Sequence, residues 1–228
     1  MLDVIVLCEG HTEREFCRNV VAPHLAARGI ALAGTLPGKP LRRHGGVPPW
    51  PSYENELLRL AKERADRHVA VLVDYYAMPE SWPGRKDAPA KPVAERGRHV
   101  ECKLKAALEK RLHGRFHPCV QLHEFESLLF VDPDLSALSI AVGGGRVSHN
   151  VAEQMKDIKM ACGGLVEQIN DGPQTAPSKR LINILPGYDK VAWGVTAAAD
   201  VPLEALRAGC PWLNLWLEEL EGLAGAGT

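Results

Sequence analysis

The apolar run Val4-Ile5-Val6-Leu7-Cys8 stops abruptly at Glu9-Gly10-His11-Thr12-Glu13. A short, unbroken apolar run bounded by a turn signal marks a buried strand, and a helix is expected to follow at once. Acids at the carboxyl end of a strand and in the next helical turn point into the crevice where open α/β sheets do their chemistry. Two carboxylates roughly 5 Å apart repel by about 3 kcal/mol at an effective dielectric of about 20. Such a pair calls for positive charge, and a hard divalent cation is the simplest candidate.

The pattern returns further along. Val69-Ala70-Val71-Leu72-Val73 ends in Asp74, and the segment from Phe116 to Leu122 alternates like a strand before running into His123-Glu124-Phe125-Glu126. Thr12 with Glu15 three residues on forms a capping box. Pro23 kinks or restarts that first helix, Gly29 ends it, and Ile30 to Leu36 reads as another strand. Helices are expected from about Ser52 to Arg67 and from about Pro92 to Leu112. Strand alternating with helix implies a mostly parallel central sheet with right-handed crossovers. Past Phe130 the pattern is of short helices, broken at Gly143-Gly144-Gly145. That triplet lacks the preceding strand and following lysine of a phosphate loop and reads as a flexible hinge. A final helix near Pro211 to Leu223 carries Trp212 and Trp216, facing either the core or a partner such as a second copy of the chain. The expected division is an α/β core over residues 1–140 and a mainly helical C-terminal region over 141–228.

A chain of 228 residues suits this plan and needs no disulfide or zinc to hold a core. The formal charge of −1 argues against whole-molecule attraction to nucleic acid or membrane. Binding to nucleic acid would need a local basic patch, and Lys39, Arg42, Arg43 and His44 form the dense one. Six cysteines without a CxxC pair, and nothing like a signal peptide or spanning segment, point to reduced thiols and a cytoplasmic protein. His113, His117, Cys119 and His123 match no structural zinc spacing.

Taken singly, each acid has an ordinary explanation. Glu13 in a first turn offsets the helix dipole by about 0.3–1 kcal/mol, and Asp74 caps a turn. Convergence is the argument, because parallel strands bring all three acid-bearing ends to one edge. Glu9 and Glu13 would share one metal ion, Asp74 would hold or bridge, and Glu124 or Glu126 would complete the shell. One of that last pair is expected to be structural, with Glu126 favoured for that role. His123 is placed to orient a water or steady a leaving oxygen. Pro177-Ser178-Lys179-Arg180 reads as a helix start that puts Ser178, Lys179 and Arg180 near a phosphate, and Lys190 offers a second charge for the transition state.

These residues also carry a resemblance. Glu9-Gly10-x-Thr12-Glu13, followed by a strand ending in acid, resembles the Toprim domain of topoisomerases, primases and overcoming-lysogenization-defect nucleases. More specifically, the chain resembles a bacterial family known as domain of unknown function 4276. The matching stretches are Cys8 to Glu13, Val73 to Tyr76, Gln121 to Glu126, Ala176 to Arg180 and Gly187 to Lys190. The resemblance implies a Toprim-like Rossmannoid core, Mg2+ or Mn2+, and hydrolysis of phosphodiester bonds in DNA or RNA. It gives Glu9 the part of general acid or base. The usual Asp-x-Asp is reduced to Asp74-Tyr75-Tyr76, and Glu124 with Glu126 is the expected substitute. Overcoming-lysogenization-defect nucleases join a Toprim domain to an ATPase, and this chain has no P-loop. The resemblance therefore implies a separately encoded ATPase partner and a part in phage defence. Two alternatives stand beside it: a Toprim-shaped interaction subunit that cleaves nothing, and a phosphoryl-transfer enzyme for small molecules.

Overall fold

Leu2–Cys8 forms the first strand, β1, with Val4, Val6, Leu7 and Cys8 wholly buried. The computed structural model describes residues 1–38, 47–122, 124–169 and 174–225. After β1 the chain turns at Gly10 into helix α1, His11–Phe16. Gly10, in extended conformation, is the N-cap, and no side chain caps the helix. The expected capping box is therefore absent. Thr12 lies inside the first turn and is buried, while Glu15 is taken by Arg14 at 2.7 Å.

Pro23 acts as its chemistry requires. It has no amide hydrogen to donate four residues back, and the helix widens into a π-turn over Cys17–Val21 before restarting as α2, Ala22–Ala26. Gly29, at φ +78°, ends it, and its carbonyl accepts the Leu2 amide at 3.1 Å. That turn delivers the chain to β2, Ile30–Thr35.

Helix α3, Trp50–Lys62, leads to β3, His68–Asp74. A 3-10 turn at Val93–Glu95 opens α4, Arg96–Leu112, and β4 follows at Phe116–Gln121. Among the described residues four strands pair in parallel throughout, in the order β2-β1-β3-β4. The architecture is mixed α/β, a parallel sheet flanked by helices with a helical C-terminal part. Phe116 to Val120 are buried without a break, so β4 does not show the alternation expected of it. Both its faces are covered, as in parallel sheets generally. Pro118 is tolerated because β4 is an edge strand. Each fully buried Val or Leu of β1 and β3 contributes about 1.5–3 kcal/mol relative to exposure.

Contacts divide the chain into two compact units, Met1–Leu122 with Leu215–Thr228, and His123–Asn214. The second is helical. A 3-10 turn at Phe125–Phe130 precedes α5, Pro133–Val142, capped by the Asp132 carboxylate at 3.0 Å from the Leu135 amide. Then come α6 (Val151–Ala161), α7 (Pro177–Ile184), a π-turn at Lys190–Gly194, α8 (Val195–Asp200) and α9 (Leu203–Gly209). The last helix, α10, is Pro211–Gly222. The glycine triplet after α5 is a tight C-terminal cap, not a hinge. The Gly145 amide donates to the Ile140 carbonyl at 2.9 Å, and a Cβ there would come within 2.5 Å of Ile140 Cγ2. Trp216 belongs to the core of the first unit, 2% exposed, with its indole N–H on the His117 carbonyl. Among the described residues no helix is long and apolar enough to cross a membrane.

Candidate metal centre

The strand order puts β2 on one side of β1 and β3 with β4 on the other. The chain reverses direction across the sheet between β1 and β3, and open α/β sheets place their ligands outside the carboxyl ends of the strands at such a switch point. Glu9 leaves the end of β1 there, and its amide extends the ladder by donating to the Leu72 carbonyl at 3.1 Å. Its side chain crosses to the next strand. Oε2 of Glu9 accepts the backbone N–H of Asp74 at 3.0 Å, so the two acid positions touch.

Glu13 comes to the same edge from α1. Its side chain is 3% exposed, and a Cβ on Gly10 would stand 3.0 Å from its Oε2. Glycine at position 10 leaves that carboxylate room. Among the described residues Glu13 has no ion pair and no side-chain hydrogen bond, which leaves a buried carboxylate without a counter-charge. Asp74 is itself 7% exposed. Behind the acids, the wholly buried Tyr53 donates its hydroxyl to the Leu7 carbonyl at 3.0 Å. Its pKa is pushed well up, first by burial and then by negative charge at Cys8, Glu9 and Glu13. Cys8 Sγ lies 3.9 Å from Cys17 Sγ, and its pKa too is raised, first by that contact and then by burial.

Hard carboxylate oxygens, one of them lacking a cation, are the donor chemistry that Mg2+ or Mn2+ takes. They gather at the edge without forming a finished cage. Among the described residues no group of three or more His, Cys, Asp or Glu is arranged to hold a metal ion.

Glu124 and Glu126 belong to the second unit. Neither lies on a strand, since β4 ends at Gln121 and a 3-10 turn begins at Phe125. Glu124 accepts the Ser178 amide at 2.8 Å, so the start of α7 already holds an internal anion. Arg180 gives its Nε to the Thr175 carbonyl at 2.8 Å, and Lys179 is exposed. Glu126 is wholly buried, and Lys190 Nζ stands 3.1 Å from its Oε2. Burial raises the pKa of Glu126 although the lysine opposes it. Arg42, Arg43 and His123 lie outside the described residues, as do Lys39 and His44. His117 bonds His68 at 2.8 Å and Glu219 at 2.7 Å. Sequence reasoning missed Tyr53 and Arg85, because neither stands in a pattern and only the fold brings them to this edge.

Residues 8–221 match the family described as Domain of unknown function (DUF4276). The chain belongs to that family. The DUF4276 match begins at Cys8 and takes in Glu9, Glu13 and Asp74 as well as Glu124, Glu126 and Lys190. Among solved structures, this DUF4276 chain is similar to the C-terminal region of the Xanthomonas campestris pv. campestris OLD protein, at 15% identity and a TM-score of 0.45, over 98% of this chain and 96% of that one. No curated protein matches it.

Proposed function

We propose that this protein is a Toprim-like nuclease that hydrolyses phosphodiester bonds of DNA or RNA with Mg2+ or Mn2+. The observation that carries the reading is the meeting of Glu9 and Asp74 at the switch point between β1 and β3. The resemblance of Glu9-Gly10-x-Thr12-Glu13 to Toprim domains supports it. Asp74 and Glu13 are the carboxylates to hold the cation. When bound, the ion would polarise a phosphoryl oxygen and supply hydroxide near neutral pH. Glu9 has its carboxylate oriented by the Asp74 amide and is the group to move a proton at the attacking or leaving oxygen.

The test is cleavage of plasmid DNA and of transfer RNA by the purified chain, with Mn2+ and with chelator. Cutting is expected only with metal, and Glu9→Ala should lower it by about 100-fold or more. Wild-type protein that cuts neither polymer, or a Glu9→Ala variant that cuts as well as wild type, contradicts the reading. A second reading, a Toprim-shaped subunit that binds without cutting, is favoured by one observation: Asp74-Tyr75-Tyr76 lacks the second aspartate.

A further inference from the structure

Among the described residues, the loop after β3 holds a cation with no anion at ion-pair distance. Trp82 anchors the loop, with its ring 5.1 Å from that of Trp50 and 4.8 Å from that of Tyr53, and its indole N–H on the Pro48 carbonyl at 2.9 Å. Gly84, at φ +79°, lies so close to α4 that a Cβ would come within 2.7 Å of Lys103 Cγ. The Arg85 amide donates to the Trp82 carbonyl at 3.0 Å. The backbone around Arg85 is therefore fixed. Its guanidinium lies 4.2 Å over the ring of Tyr75, and Nη1 donates to the Tyr75 hydroxyl at 3.1 Å.

Arg59, Arg67 and Arg111 all sit on carboxylates. Arg85 has no carboxylate within ion-pair distance among the described residues, and its Nε is buried without a hydrogen-bond partner. Arg96 likewise spends its donors on the Lys91 and Pro89 carbonyls. Both arginines act on the Tyr75 phenol, whose pKa burial raises and their charges lower. Tyr75 directly follows Asp74. Tyr76 comes next, 46% exposed, with its ring edge-on to Tyr75 at 5.1 Å and 87°.

We propose that Tyr76 and Arg85 clamp one unpaired nucleotide beside the acid edge, the Tyr76 ring taking the face of the base and Arg85 the adjoining phosphate. An exposed aromatic ring stacks on a base only when that base is out of a duplex. A planar guanidinium already stacked on a ring presents its Nη donors to phosphate, the buried Nε lying out of reach. The substrate of the proposed nuclease is therefore single-stranded. Cleavage of the bound strand rests on that nuclease reading, whereas the binding itself does not.

The test is binding by the full chain in chelator, where no cleavage occurs, read by fluorescence anisotropy. The probes are labelled oligothymidylate, oligouridylate and a DNA duplex, all of one length. At least one single strand should bind about tenfold or more tightly than the duplex, and comparing the two identifies DNA or RNA as the source of the nucleotide. Tyr76→Ala should weaken that binding about tenfold, and Tyr76→Phe should restore it. Arg85→Gln should weaken it and lower the slope of log affinity against log salt by roughly 0.7. Tyr76 is exposed, so its variants keep the proposal testable even if Arg85→Gln lowers the melting temperature. No binding by wild type, equal affinity for the duplex, or Tyr76→Ala binding like wild type overturns the clamp. Metal-dependent cleavage on duplex substrate would survive that result. Wild-type protein that never cuts would leave the clamp standing.

Discussion

Glu101 shows how one buried acid writes itself into the stability of the protein. It sits on α4, 4% exposed, and accepts the Val120 amide and an Arg98 N–H, each at 3.0 Å. Burial nonetheless pushes its pKa from 4.5 up to about 7, against the pull of Val120, Arg98 and Lys105. A carboxyl group whose pKa is raised on folding binds its proton more tightly in the native state. Its contribution is then present at acid pH and lost as pH rises from the unfolded value through the folded one. Glu167, raised to about 7 by burial at the start of α10, has the same sign. Glu101→Gln should flatten the fall in stability between about pH 4.5 and 7, a difference from wild type of about 3 kcal/mol at most. Urea unfolding across that range measures it, and identical pH profiles would refute it. Nothing in the charged pattern from Pro92 to Leu112 singles out Glu101, because only the packing of α4 on β4 buries it. Glu9 and Asp74 were legible for the opposite reason: each ends an apolar run, and a strand end needs no tertiary knowledge to locate.

Helix α1 is where local rules and tertiary structure part. Thr12 and Glu15 have the spacing of a capping box, yet the helix begins at Gly10 and Thr12 is buried. Tertiary packing takes precedence here. Starting the helix directly after Glu9 brings Glu13, one turn on, to the sheet edge, and Gly10 leaves its carboxylate space. Gly10 is extended, at φ −141°, so alanine is tolerated by the backbone. A Cβ would instead press on Glu13 Oε2, which stands 3.0 Å from its position. Gly10→Ala should therefore fold like wild type while losing most of the rise in melting temperature that Mn2+ produces. For wild type that rise corresponds to about 2.7 kcal/mol at a metal concentration of about 100 times Kd. An undiminished rise would show that Glu13 takes no part. The restart at Pro23 was legible because proline acts through its own missing hydrogen. The hydrogen bond of Ser178 to Glu124 and the ion pair of Lys190 with Glu126 were not, since residues 54 and 64 positions apart meet only in the folded chain.

For the molecule as a whole, alternating strands and helices were enough to predict a parallel sheet, and the β2-β1-β3-β4 order then decides which strand ends are neighbours. That order could not be read from the alternation, which is equally compatible with strands laid down in sequence. The role of the C-terminal segment was open too, between core and partner surface. From Leu215 onward it belongs to the first unit, held by Trp216 on His117, Glu219 on Lys105 and His117, and Glu221 on His24. The net charge of −1 would leave substrate capture to local groups, and Arg85 with Tyr76 is the proposed one. The central claim is that cation gathers at the carboxyl ends of β1 and β3. Anomalous difference density from crystals soaked in Mn2+ tests it most directly. The account predicts a peak at that edge with carboxylate oxygens of Asp74 and of Glu9 or Glu13 among its ligands. Density absent from that edge, with manganese bound only elsewhere, would contradict it.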